Sequence, residues 1–170
     1  SSAYHCSGFD KAAVLTVDGV GEWASGTRGV AFDTTIELQE KMSYPHSVGL
    51  LYSAFTAFLG FQVNEGEYKV MGMAPYGNPR FVDLIFDKLV KLRDDGSFWL
   101  DMQYFAYHYS AYHSFNARFA DLFGKPRTPH ESNLLDPLYS DIAASIQKVT
   151  EEILVRQTQA LCKRTGHQNL

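Results

Sequence analysis

Cysteine is scarce: Cys6 and Cys162 are the only two in 170 residues, far apart and outside any CxxC or Cys/His cluster. Neither a disulfide framework nor a cysteine-based zinc site is indicated, and a reducing, cytoplasmic setting is expected. Charge of one sign is scarce too, since 19 Asp and Glu against 15 Lys and Arg leave a formal charge of -4 with no long run of either sign. That argues against a nucleic-acid binder working through a basic surface, so any substrate must be held by specific groups. The most apolar stretch, residues 48–61, is broken by Tyr52, Ser53 and Thr56 and falls short of the roughly 20 residues a membrane span needs. No signal-peptide pattern, repeat or low-complexity segment is found, and the chain is read as an excised piece of a longer protein. What is present is a composition 45% hydrophobic, 20% charged and 14% aromatic, which excludes disorder and suits one domain or part of a larger one. The 10 Tyr and 12 Phe fall in helix-like and strand-like segments alike, so a large mixed core with the aromatics mostly inside is expected.

Residues 12–17 (AAVLTV) form an apolar, β-branched run ending at Asp18-Gly19, which reads as a buried strand and a tight turn. Residues 22–32 and 34–41 alternate Val, Thr and Ile with polar residues, predicting a three-stranded meander whose charged last strand lies outermost. After Pro45-His46-Ser47, the spacing of Leu50, Leu51, Ala54, Phe55 and Phe58 predicts a helix that Gly60 terminates. Residues 64–78 (NEGEYKVMGMAPYGN) carry four Gly or Pro and no sustained period, so a structured loop with one helical turn over residues 70–74 is expected. A helix capped by Asn78, starting at Pro79 and ending at Asp94-Asp95-Gly96, should follow. Residues 97–107 hold two short strand-like pieces and residues 114–123 a further helix. The clearest helix starts at Asp136-Pro137 and runs to about Lys163, with Leu138, Ile142, Ile146, Val149, Ile153 and Leu161 near one face.

Few side chains stand out chemically. In Asp18-Gly19-Val20-Gly21-Glu22 the glycines permit close backbone approach and the N–H groups can receive an anion, while the carboxylate can hold a metal or orient a ribose or water. Asp-Gly is equally the commonest hairpin signal, so a plain turn also accounts for these residues. His46-Ser47 opens a helix whose dipole favours an anion, although Ser47 as an N-cap beside a surface histidine explains the pair as well. Glu65, Glu67, Lys69 and Gly72 mark a possible cleft in the glycine-rich loop, with a local ion pair on a solvated loop as the alternative. His108 and His113 are spaced to point apart and are not a metal pair; His130 and His167 read as loop residues.

Three segments together resemble the NodU/CmcH carbamoyltransferase family of nodulation-factor and antibiotic O-carbamoyltransferases: residues 12–23 (AAVLTVDGVGEW), residues 44–77 (YPHSVGLLYSAFTAFLGFQVNEGEYKVMGMAPYG), and residues 141–170, beginning DIAASIQKVTEEIL. The second is long and specific. The resemblance implies a fragment of the family's N-terminal module, similar to threonylcarbamoyl-transfer enzymes of tRNA modification, within the actin/hexokinase/Hsp70-like ATPase superfamily. The expected fold class is therefore mixed α/β, a partial ribonuclease-H-like or actin-like half. Residues 12–61 and 137–170 would be its core and residues 62–136 an insertion. On that reading Asp18, Gly19, Gly21 and Glu22 form a phosphate-binding hairpin, and His46, Glu65, Glu67, Lys69 and Gly72 border the cleft.

The resemblance further implies that carbamoyl phosphate and ATP give a carbamoyl adenylate in a YrdC-like module of the same full-length chain. The carbamoyl group then passes here to the hydroxyl of a small molecule or sugar. A divalent metal, expected to be iron, would polarise the intermediate. The family's histidine motif should lie upstream of residue 1, which makes residues 1–9 its tail, and the remaining ligand beyond residue 170, so no metal ligand is assigned in this chain. By itself the fragment should be inactive, bind no cofactor, and self-associate through apolar surface including Ile142, Val149 and Ile153. A hydrogenase-maturation-type carbamoyltransferase and a non-catalytic actin-like nucleotide-binding module are the alternatives.

Overall fold

The computed structural model describes residues 2–129 and 136–170. It divides into two compact units: Ser1–Gly49 with Leu92–Phe98 and Ile153–Leu170, and Leu50–Lys91 with Trp99–Glu152. The architecture is mixed α/β, with a three-stranded antiparallel sheet and helices.

The first unit is built on the meander. Strands β1 (Lys11–Val17), β2 (Ala24–Phe32) and β3 (Thr35–Ser43) pair antiparallel in the order β1-β2-β3. Pairing of Ala13 with Val30 and of Val17 with Gly26 fixes the first register, and places the turn at residues 18–23 directly beyond the last rung. The second strand starts at Ala24 rather than residue 22, because Glu22 and Trp23 belong to that turn, Trp23 with a φ of 74°. Tyr4, Ala12 and Ala31 form a small core with Val14 and Ile36 against it. Tyr4 sits on a short helix, α1 (Ser2–His5), where a tail was expected; its hydroxyl donates to Asp10 O at 2.9 Å. Burial of one apolar ring and satisfaction of its hydroxyl order this turn. At the other end Ala13 N donates to Asn169 O at 2.9 Å and Asn169 Nδ2 to Lys11 O at 3.2 Å, so the last residues touch β1 without forming a strand.

The second unit is packed around phenylalanine. In α2 (Val48–Phe58), Leu51, Ala54, Phe55 and Phe58 are fully buried, as their helical spacing predicts. Phe55 meets Phe119 edge-on at 4.9 Å, and Phe58 and Phe123 join the cluster. Phe105 and Tyr139 are buried as well, whereas Trp23, Tyr68, Tyr76, Tyr109 and Tyr112 are each more than 60% exposed. Residues 64–78 are more helical than their glycines suggest, with α3 (Glu67–Met73) running into a 3-10 turn at Ala74–Tyr76. Burial of Val70 and Met73, one helical turn apart, drives this.

The next helix, α4 (Val82–Lys88), starts three residues later than Pro79. Its expected first turn is strapped elsewhere: Asn78 N donates to Asp141 Oδ1 at 2.7 Å, Arg80 pairs with Asp141 at 2.6 Å, and Phe81 N donates to Ser145 Oγ at 3.0 Å. Strands β4 (Val90–Leu92) and β5 (Phe98–Leu100) form a hairpin, so residues 94–96 make its turn instead of ending a helix. The second strand-like piece of residues 97–107 is a 3-10 turn, Met102–Tyr104, followed by one bridge from Phe105 to Phe115. Helix α5 (Ala117–Phe123) is capped by Asn116, whose side chain accepts from Arg118 N and Phe119 N. Helix α6 (Pro137–Thr165) starts as predicted, with Asp136 Oδ1 accepting from Leu138 N at 2.8 Å. Its residues Ile142, Val149 and Ile153 are fully buried, which corrects the expectation that this face is partly exposed. The fold already covers it.

Candidate functional site

The turn after β1 and the start of α2, two separate candidates in the sequence, lie against each other. Ser47 Oγ donates to Asp18 O at 2.8 Å, and Ser25 Oγ donates to His46 O at 2.5 Å. Both serines are buried, at 0% and 3% exposure, so these bonds are shielded from water and hold the turn to the helix start. Gly49 makes the approach possible. A Cβ there would stand 2.8 Å from Gly19 Cα and 2.9 Å from Asp18 O, and both obstacles are backbone.

Within the turn, Asp18 N donates to Ser25 O at 2.9 Å and Asp18 Oδ1 accepts from Gly19 N at 2.6 Å. The N–H groups of Val20, Gly21 and Glu22 meet no acceptor among the described residues. Gly21 has a φ of +54°, and a Cβ on it would fall 2.5 Å from Ala24 O, so the turn itself demands glycine there. Gly19 differs, with nothing within 4 Å of a Cβ and open space over the turn. Asp18 and Glu22 are exposed; His46 is half-buried, and burial lowers its pKa, favouring neutral imidazole. The unpaired N–H groups and the nearby start of α2 can receive an anion, while the exposed carboxylates of Asp18 and Glu22 in the same turn oppose one.

The other predicted cleft residues lie in the second unit. Glu67 is the first residue of α3, and its Oε1 accepts from Asn64 N at 3.0 Å and Ser53 Oγ at 2.9 Å while Oε2 accepts from Gly66 N at 3.2 Å. Burial opposes its charge, but those donors outweigh burial and hold the carboxyl below its usual range. Tyr52, nearby in sequence to Ser53, has its hydroxyl pushed up to about 12 by burial and by the charges of Glu67 and Glu151. Lys69 lies over the rings of Phe61 and Tyr68 at 5.9 and 5.8 Å, and lines a pocket with Gly72. Glu65 is exposed beside this segment.

Ser25, Ser47 as donor to Asp18, and Gly49 escaped the sequence reading. A glycine two residues into a helix, where it is a poor helix former, was the one available signal. His108 and His113 lie outside the helices and strands, His167 follows α6 as a loop residue, and His130 lies outside the described residues. Among the described residues no three His, Cys, Asp or Glu side chains converge as a metal site would require, and no helix is long and apolar enough to cross a membrane.

The fold defines a mixed α/β class of module in which a glycine turn is seated on a helix start. Comparison narrows that class: all of residues 1–170 match the model of the carbamoyltransferase N-terminus, and the chain belongs to that family. The chain is 49% identical over its whole length to the protein sll1178 of Synechocystis sp., of which it covers 27%. It is also 38% identical over 97 residues to the nodulation protein NolNO of Sinorhizobium fredii, covering 57% of this chain and 14% of that protein. Nodulation protein NolO of Bradyrhizobium diazoefficiens is 37% identical over 99 residues, or 57% of this chain and 18% of that protein. The chain thus spans about a quarter or less of these relatives.

Proposed function

We propose that the full-length protein is an O-carbamoyltransferase and that this module supplies the turn facing the phosphate of the donor. The observation that carries the reading is the seating of residues 18–22 on the start of α2, through Ser47 and Gly49, in a chain of the carbamoyltransferase family. The fold is read as part of a ribonuclease-H-like, actin-like half, with residues 12–61 and 137–170 as core and residues 62–136 inserted.

The donor is a carbamoyl adenylate made from carbamoyl phosphate and ATP by a YrdC-like module of the same chain. The oxygen of the acceptor, a small-molecule or sugar hydroxyl, attacks the carbamoyl carbon. The bond from that carbon to the phosphate oxygen breaks, and AMP leaves with the electron pair. Backbone N–H groups of Val20, Gly21 and Glu22 hold the phosphate and stabilise the charge that grows on it. Asp18, tied by Oδ1 to Gly19 N, offers Oδ2 to a hydroxyl of the bound nucleotide. The acceptor's proton passes to a general base. A divalent metal, expected to be iron, would act as a Lewis acid; the residues described here do not form its site, and no step above passes through it.

Full-length protein incubated with ATP, carbamoyl phosphate and a panel of hydroxyl acceptors tests this by mass spectrometry. The expected product is an acceptor heavier by one carbamoyl group, with Asp18→Ala strongly reduced. Carbamoylation by Asp18→Ala at the wild-type rate would remove the turn from the mechanism.

A further inference from the structure

We propose that the pocket lined by Arg127 and Lys69 in the second unit binds a small organic oxyanion, its charged end on the two cations and its flat body against Tyr68 and Tyr76. The pocket measures about 840 Å³, within the range of small-molecule sites, and among the described residues its lining contains two cations and no carboxylate. Arg127 is only 3% exposed, and a charge so deeply placed needs a counter-charge or a full set of acceptors. Among the described residues it has neither. Nη1 donates to Thr128 O at 3.2 Å, the guanidinium lies 4.9 Å from the centre of the Phe61 ring, and the buried Nε has no hydrogen-bond partner.

Lys69 approaches the same ring, and both cations line the one pocket. Their joint charge suits an oxyanion with two or three oxygens, for which the planar guanidinium edge is a better match than an ammonium alone. The body of the ligand follows from the rim. Tyr68 and Tyr76 are 64% and 69% exposed, amphipathic rings that can cover a sugar or aromatic ring while their hydroxyls stay wet. None of these side chains belongs to the 18–22 turn, and the pocket is judged by binding, so its failure and that of the transfer reading are separable.

Calorimetric titration of the full-length protein with phenyl phosphate, benzoate, inorganic phosphate and phenol provides the test. Phenyl phosphate or benzoate should bind at least about tenfold tighter than neutral phenol, and the tighter of the two names the oxyanion as phosphate or carboxylate. Inorganic phosphate, lacking the ring, should bind more weakly than phenyl phosphate. Lys69→Ala and Tyr76→Ala, both at exposed positions, should each weaken binding about fivefold or more with an unchanged melting temperature. Arg127→Lys should weaken it further. Phenol binding as tightly as both anions, or an unchanged affinity in Lys69→Ala, would overturn the proposal.

Discussion

The turn at residues 18–22 and the segment at residues 64–78 each set a carboxylate among glycines, yet they use it in opposite ways. Asp18 accepts one local hydrogen bond, from Gly19 N at 2.6 Å, and is exposed. Glu67 accepts from two backbone N–H groups and a serine hydroxyl, which fixes the start of α3 and lowers its pKa. A carboxylate whose oxygens are all engaged by its own fold contributes to stability, and one left at the surface beside unpaired N–H groups is available to a ligand. Both segments pair a carboxylate with glycines. The accounting of donors and acceptors separates them.

The contrast can be broken by experiment. Asp18→Ala should reduce carbamoyl transfer about a hundredfold, since a misplaced ligand costs on that order, with little change in folding. A comparable loss with Glu67→Ala at full folding would erase the distinction. Gly49→Val should act on both folding and transfer, because its Cβ meets the backbone of Asp18 and Gly19; overpacking of this kind costs about 1–3 kcal/mol, measurable by denaturant unfolding.

Glu67→Ala should destabilise by about 1–3 kcal/mol, because Asn64 N, Gly66 N and Ser53 Oγ lose their acceptor. The sign of the pH dependence follows from the lowered pKa: the unfolded state binds the proton more readily, so the stabilisation is complete above the ordinary glutamate range. It is lost as pH falls through that range to the lower folded value. Acid unfolding curves of wild type and Glu67→Ala should therefore converge at low pH; a gap of constant width would refute this account. The smallest effect is expected for Gly19→Ala, within about 0.5 kcal/mol in stability, since nothing lies within 4 Å of the added methyl. Transfer should still fall if a ligand occupies that space.

Much of the frame was legible in the sequence because periodicity is local. The meander, α2 and α6 follow from alternation and helical spacing, and Asp136 and Gly60 mark boundaries as composition predicts. Helix α3 was concealed by the glycines around Val70 and Met73, and its start depends on donors that only the folded chain assembles around Glu67. The late start of α4 arises from Asp141, more than sixty positions away in the chain. The candidate site shows the same division. Asp18, Gly19 and His46 could be named from their neighbours, whereas the contact between the turn and Gly49 joins two segments about thirty residues apart and has no local signature. Arg127 gave no sign at all, since a lone arginine between loops is ordinary until its burial is known.

The pair of hydrogen bonds between Asn169 and β1 also determines how the sheet is exposed at its border. Ala13 N points away from β2 toward Asn169, and the alternation of a strand directs the amides of Leu15 and Val17 the same way, past the reach of that contact. Those two N–H groups lie along an open rail, while their neighbours Val14 and Thr16 face β2. Isotope exchange should accordingly follow odd and even positions along β1, fast at Leu15 and Val17 and slow at Val14 and Thr16. The rail can take on one more strand, laid beside β1 and ending level with the turn at Asp18.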